Sequence, residues 1–238
     1  MHADARAAEL ATSLGALRSR IADACAAVGR DPHSVALIAV TKTYPASDVA
    51  ALARLGVRDV GESKDQEARA KVDELADLPD PVRWHLVGRL QTNKARSVAG
   101  YAFAVHSVDR LKLARALADA VAREQGRAPL EVFVQVSLDG DPERGGVLEA
   151  DLEALVDLVA DRPELQLRGL MAVAPMAADP NEAFARLAEL AEGVRRDHPG
   201  AQSISAGMSN DLEAAIANGA THVRVGTALL GRRATNFG

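Results

Sequence analysis

The 238-residue chain reads as an α/β fold, a single closed (β/α)8 barrel of the TIM type with an extra helix at its N-terminus. Three observations predict this. Short β-branched runs alternate with helical segments from about residue 35 onward, which argues for parallel βαβ units. The runs number eight, and the length suits an eight-stranded barrel. No Ser/Gly/Pro-rich linker or low-complexity run interrupts the series, so one domain is expected over 1–238, with the added helix in 1–30 and the barrel in 35–233. A doubly wound open sheet is the alternative. It would more naturally carry a glycine fingerprint after its first strand, and Thr41-Lys-Thr-Tyr-Pro45 is not one.

The elements follow in order. Leu10, Leu14, Leu17, Ile21 and Val28 recur near helical spacing over 3–28, and Gly29-Arg-Asp-Pro32 closes that helix. The apolar run Val35-Ala-Leu-Ile-Ala-Val40 opens the first strand, at 35–41, and helical periodicity resumes over 46–55. A second strand at 57–61 precedes a helix at 63–77, and a third at 82–87 precedes one at 92–99. Strands at 102–106 and 130–137 flank a helix at 108–126; a strand at 165–173 sits between helices at 149–160 and 180–196. The last two strands, 202–205 and 222–225, bracket a helix at 209–218.

Composition narrows the function. With 48% hydrophobic, 26% charged and only 3% aromatic residues, the core must be aliphatic and alanine-rich. A net charge of -5 and a pI near 5.7 give no reason to expect nucleic-acid or membrane binding. No apolar run is long enough to span a bilayer, and the N-terminus lacks a signal-peptide pattern. The one cysteine, Cys25, excludes an internal disulfide and fits a reducing cytosol, so a cytoplasmic location and a packed, inert thiol are expected.

Lys42 directly follows the first strand. A lysine there stands at the C-terminal rim of the sheet, where α/β folds keep their chemistry, and low-dielectric walls favour the neutral amine that Schiff-base chemistry requires. An exposed lysine after a strand is the plain alternative. Closure would set the first strand against the eighth, bringing Lys42 beside Val223-Arg-Val-Gly-Thr227. The loops after the seventh and eighth strands of such barrels often hold phosphate. Here they carry Ala206-Gly-Met-Ser-Asn-Asp211 and Gly226-Thr227, where Ser209 could also simply cap the next helix. Arg224 shares a face with Gly226, two residues on. It needs an acceptor: either an inward carboxylate such as Glu62 or a heteroaromatic ring nitrogen. Amine, phosphate cradle and arginine together outline an aldehyde-bearing pyridine phosphate.

These residues resemble the YggS/PROSC family of pyridoxal phosphate homeostasis proteins. The resemblance rests on Ala39-Val-Thr-Lys-Thr43, Gly61-Glu62, Trp84-His-Leu-Val-Gly88, Leu90-Gln-Thr-Asn-Lys94, Gly169-Leu-Met-Ala172, Ser205-Ala-Gly-Met-Ser-Asn-Asp211 and Arg224-Val-Gly-Thr227, and covers about residues 5–233. It implies a fold-type III barrel holding pyridoxal 5′-phosphate (PLP) as an aldimine on Lys42. Ser209, Gly226 and Thr227 would hold the phosphate, with Met208 in the same loop, and Arg224 would face the pyridine nitrogen. Ser63 stands where the family's Gly-Glu-Asn pattern has asparagine, which puts any contact by that amide in doubt.

The remaining cofactor-site candidates carry rival readings. Glu62 either orients Lys42 or pairs with a cation. His85 is expected to pack and bond backbone, with a cofactor contact second. Met171 is expected as core filling ahead of a cofactor contact, His106 is a minor candidate, and Asn93 and Lys94 should face water. No metal site is expected: His2, His33, His198 and His222 lack ligand spacing.

The resemblance implies a protein that buffers or delivers PLP, in vitamin B6 and amino-acid homeostasis, with little turnover of its own. Its partners would be PLP and PLP-dependent apo-enzymes, and it would be a monomer. A slow fold-type III racemase and a barrel enzyme for a phosphorylated metabolite are the alternatives. Racemisation needs two acid/base groups on opposite ring faces. Lys42 supplies one. Tyr44 lies on the lysine's own loop, and the chain is expected to stop just past its barrel, without the appended β-domain that supplies the racemases' tyrosine.

Overall fold

The first and last strands pair, and that pairing closes the sheet. The structure, a computed structural model, describes residues 2–141 and 143–231, with side chains from residue 5 onward. In chain order the elements are α1 (His2–Ala27), β1 (Ala36–Val40), α2 (Ala46–Arg54), β2 (Asp59–Glu62), α3 (Asp65–Glu74), β3 (Arg83–Leu86), α4 (Ala95–Ala99), β4 (Ala104–Val108), α5 (Leu111–Val121), β5 (Leu130–Gln135), α6 (Glu149–Ala160), β6 (Leu165–Met171), α7 (Pro180–Asp197), β7 (Ser203–Ser205), α8 (Leu212–Ala217), β8 (His222–Val225) and α9 (Thr227–Leu230). The strands form a closed parallel barrel in sequence order, with Leu37 opposite Val223 and Ile38 opposite Arg224 at the seam. The eight expected strands are all present; the expected barrel end at 233 lies outside the described residues.

Side-chain alternation divides each strand between helices and interior. Outward residues such as Val132, Val134, Leu170 and Ile204 pack with α5, α6 and α7 in one aliphatic core. The extra helix completes the other side. Leu10, Leu14, Leu17 and Ile21 of α1 sit at most 5% exposed against Leu52, Leu212, Val223 and Leu230. Each such leucine contributes roughly 1.5–3 kcal/mol as an upper estimate. Val28 breaks the expected stripe. Helix α1 ends at Ala27, Gly29 turns the chain at φ 67°, and Val28 is left 42% exposed.

Two other expectations shift locally. The segment expected as a helix over 92–99 divides into a 3-10 turn at Thr92–Lys94 and the short α4, with Asn93 and Lys94 exposed. The helix expected from 209 begins only at Leu212, which leaves Ser209 in the loop.

Candidate functional site

At the C-terminal rim a cleft of about 610 Å³ opens over the β1–β8 seam. Its volume lies in the range of small-molecule sites. Lys42, Met208, Ser209, Arg224, Gly226 and Thr227 line it, together with Ser63. Six of the sequence-predicted residues thus converge from four loops and strand ends. A neighbouring cleft of about 720 Å³ is lined by the cations Lys64, Arg89, Lys94 and Arg110, but lacks the pairing of a strand-end amine with a buried guanidinium.

Lys42 is exposed, and among the described residues its ammonium makes no hydrogen bond or ion pair. The backbone around it is held instead. Thr41 N–H donates to Gly61 O at 2.9 Å. Thr43 adopts a left-handed φ of 73°, a conformation worth about 1–2 kcal/mol of strain outside glycine. Its N–H donates to Glu67.

Arg224 is 5% exposed at the cleft floor. Nη1 donates to Ser205 Oγ at 2.6 Å and Nη2 to Ala172 O at 2.9 Å. Burial lowers its pKa to about 10, with Asp211 opposing the shift, so it stays cationic at neutral pH. No carboxylate bonds it directly among the described residues. The expected alternative of an Arg224–Glu62 salt bridge does not form.

The two loops of the phosphate cradle are stitched together. Ser209 Oγ accepts from Ala228 N–H at 3.2 Å, so this hydroxyl serves the turn after β8 and does not cap α8. Arg20 of α1 braces the same loop through Ser209 O at 3.2 Å. A Cβ on Gly226 would stand 3.2 Å from Val40 O, a tight contact that glycine avoids where this turn lies against the end of β1.

Glu62, His85 and Met171 are not brought to the cleft. Glu62 follows the outward parity of Val60, which packs with Val49 and Trp84. It is 1% exposed, accepting from Lys71 Nζ at 2.7 Å and Thr41 Oγ1 at 2.6 Å. Burial pushes its carboxyl up, the Lys71 and Thr41 hydrogen bonds opposing, and Oε2 has no partner among the described residues. The ion-pair reading is therefore the one realised, with Lys71 as the cation. His85 faces the barrel interior but bonds no backbone: Nε2 meets Asp59 Oδ1 at 2.8 Å and Nδ1 meets His106 Nε2 at 2.9 Å. Met171, opposite Ser205 and Gln135 in the ladder, is 1% exposed and fills the interior.

Sequence reasoning missed the apolar walls, Val40, Val87 and Val173, and the rim residues Pro175 and Met176. The signal was available for the three valines: each ends or follows a strand on the parity of an interior residue. Among the described residues there is no metal-holding cluster, and no helix is long and apolar enough to cross a membrane.

Comparison with known proteins agrees with this fold. The profile of the alanine racemase N-terminal domain matches residues 12–234. The pyridoxal phosphate homeostasis protein of Mycobacterium tuberculosis is 48% identical over 96% of this chain and 94% of its own length. That of Escherichia coli K12 is 37% identical over 94% and 97%. The solved structure of PipY of Synechococcus elongatus with PLP bound superposes with a TM-score of 0.82 at 38% identity, covering 93% of this chain and all of PipY. An alanine racemase from Streptomyces coelicolor shares the fold alone, with a TM-score of 0.75 at 21% identity over 59% of its chain. The chain belongs to the family of pyridoxal phosphate homeostasis proteins, and its barrel is an alanine racemase N-terminal domain.

Proposed function

We propose that this chain binds pyridoxal 5′-phosphate in the Lys42 cleft and serves PLP homeostasis by holding and releasing the cofactor. One observation carries the reading: a strand-end amine, a buried guanidinium and a hydroxyl-bearing glycine turn face one cavity of about 610 Å³. The donor set fits the group. Gly226 brings the turn after β8 to the cleft, Ser209 and Thr227 offer hydroxyls to an anion, and Arg224 offers N–H donors to a ring nitrogen. Bound PLP supplies an aldehyde that takes up primary amines and a ring that withdraws electrons.

The chain's own residues divide the work. Lys42 presents its amine from a backbone held on both sides. Arg224, cationic at neutral pH, would offer N–H donors to the ring nitrogen and so disfavour its protonation. Val40, Val87 and Val173 supply apolar walls. Met208, 40% exposed, and Met176, 98% exposed, stand at an open mouth that suits exchange of the ligand.

Turnover as a racemase is the weaker reading. Tyr44 donates its hydroxyl to Gly231 O at 2.6 Å and is committed to structure. Among the described residues that line the cleft, the ionisable ones are Lys42, Asp211 and Arg224, and Asp211 accepts from Met208 N–H at 2.5 Å. None supplies a second acid/base opposite Lys42.

We further assign PLP-dependent apo-enzymes as recipients, a single-domain monomer as the working form, and the cytoplasm as its place, which the buried Cys25 suits. The test is an absorbance spectrum with added PLP before and after borohydride, followed by peptide mapping. A visible band and a label on Lys42 are expected. A colourless protein, or a label on another lysine, overturns the assignment.

A further inference from the structure

A spine of buried polar side chains crosses the barrel interior, where barrels of this type ordinarily pack branched aliphatic residues. From Arg224 Nη1 it passes to Ser205 Oγ at 2.6 Å, then from Oγ to His106 Nδ1 at 2.8 Å. His106 Nε2 meets His85 Nδ1 at 2.9 Å, and His85 Nε2 meets Asp59 Oδ1 at 2.8 Å. Asp59 closes on Arg83 at 2.6 Å, at the opposite mouth of the barrel. Ser205 and His106 are wholly buried, His85 is 2% exposed and Asp59 8%. None of the four lines the cleft.

The direction of every link follows from donor arithmetic. Burial alone would raise the Asp59 carboxyl, but hydrogen bonds from His85 and Arg83 outweigh it and hold the group ionised. Asp59 therefore only accepts, and His85 carries its proton on Nε2. The one negative charge is already matched by Arg83, so a second proton on His85 would bury an unpaired cation. Nδ1 of neutral His85 is then an acceptor, and His106 must donate from Nε2. Burial holds the His106 ring well below its ordinary range, with the Arg224 cation adding to the effect, so its Nδ1 is a bare acceptor too. The single hydroxyl proton of Ser205 goes there. Only lone pairs are left facing Arg224, whose guanidinium has only donors.

We propose that Asp59, His85, His106 and Ser205 are positioning residues that hold the Arg224 guanidinium in place to donate to the ring nitrogen of bound cofactor. This rests on the PLP reading above. The one-way chain ties Nη1 to Ser205, Ala172 O ties Nη2, and the N–H groups left over serve the cleft. Asp59→Asn would reverse it. An amide nitrogen can donate to His85 Nε2, each ring then changes tautomer, and the Ser205 proton is turned against a guanidinium that cannot accept it. A substitution at the far mouth of the barrel is thus felt at the cofactor.

Two measurements on the full chain test this. Imidazole 15N spectra without PLP should show His85 and His106 as neutral Nε2–H tautomers, and Asp59→Asn should convert both to Nδ1–H. PLP release, followed by loss of the visible band under an excess of a trapping amine, should accelerate about tenfold in Asp59→Asn and in Ser205→Ala. Ser205→Ala is the smaller packing change and serves where Asp59→Asn folds poorly. An imidazolium or Nδ1–H signal from either ring in the wild-type chain overturns the chain's direction. Lowered melting temperatures with unchanged release rates and absorbance maxima overturn the positioning role and leave a structural one. Wild-type protein that takes up no PLP, with the tautomers as stated, overturns the cofactor reading and not the polarity of the spine.

Discussion

Lys71 donates its ammonium to the backbone oxygen of Thr41 at 2.8 Å, so a buried cation on α3 tethers the residue that precedes the cleft lysine. The same ammonium bonds Glu62 at 2.7 Å and Glu67 at 2.9 Å. Glu67 in turn accepts from Thr43 N–H. Both neighbours of Lys42 are therefore anchored to one ion cluster, while Lys42 itself stays untied. Lys71 is 6% exposed, and its loss would strand Glu62.

Lys71→Met is expected to destabilise by about 3–5 kcal/mol, the range for breaking one partner out of a buried pair. Chemical denaturation reads the loss. The partial rescue Glu62→Gln in the same background should recover part of it, because an amide no longer leaves a buried charge. A double variant no more stable than Lys71→Met would remove Glu62 as the stranded group.

Lys42→Ala should abolish the visible band with PLP and leave the fold within roughly 0.5 kcal/mol of wild type, as for an exposed side chain away from structural contacts. Absorbance and thermal unfolding check the two halves separately. A large fall in melting temperature would make the lysine structural.

Gly169→Ala should be among the most damaging small substitutions. Its φ of 147° is a glycine conformation, and an added Cβ would lie 1.8 Å from Ser203 O in the neighbouring strand. The strain alone is about 1–3 kcal/mol, and the clash with backbone adds to it by forcing β6 from β7. Soluble yield and denaturation midpoint report the effect; wild-type stability would show that the ladder shifts without cost.

Stability should fall as pH drops from about 6.5 towards 4. Burial lowers the His222 pKa to about 4, against 6.5 for an ordinary histidine. The unfolded chain then binds the proton first, so stability is full above the unfolded pKa and is lost on acidification through that window. The shift amounts to at most about 3.5 kcal/mol. His106, also held low, acts in the same direction. A melting temperature unchanged between pH 7 and pH 4 would contradict this.

The alternation of β-branched runs with helical periodicity was legible in one dimension, because each element's period is set by its own backbone geometry. Strand count, parallel barrel and the place of Lys42 at a strand end follow from it. So does the convergence of Lys42 with Ser209, Arg224, Gly226 and Thr227, once closure is assumed, since it depends only on which strands are neighbours. What a strand residue touches across the interior does not follow from its own period. Glu62 lies one residue beyond Gly61, and that single step turns it from the interior to Lys71 on α3. The three hydrogen bonds that join Asp59, His85, His106 and Ser205 span 21 to 99 residues of chain, and only the register of four strands brings them into one line. Period is local, whereas parity and register are properties of the assembled sheet. The chain alone therefore determined the barrel and the rim that carries its chemistry. Tertiary structure decided which polar side chains face the cleft, which face the helices, and which run between the barrel's two mouths.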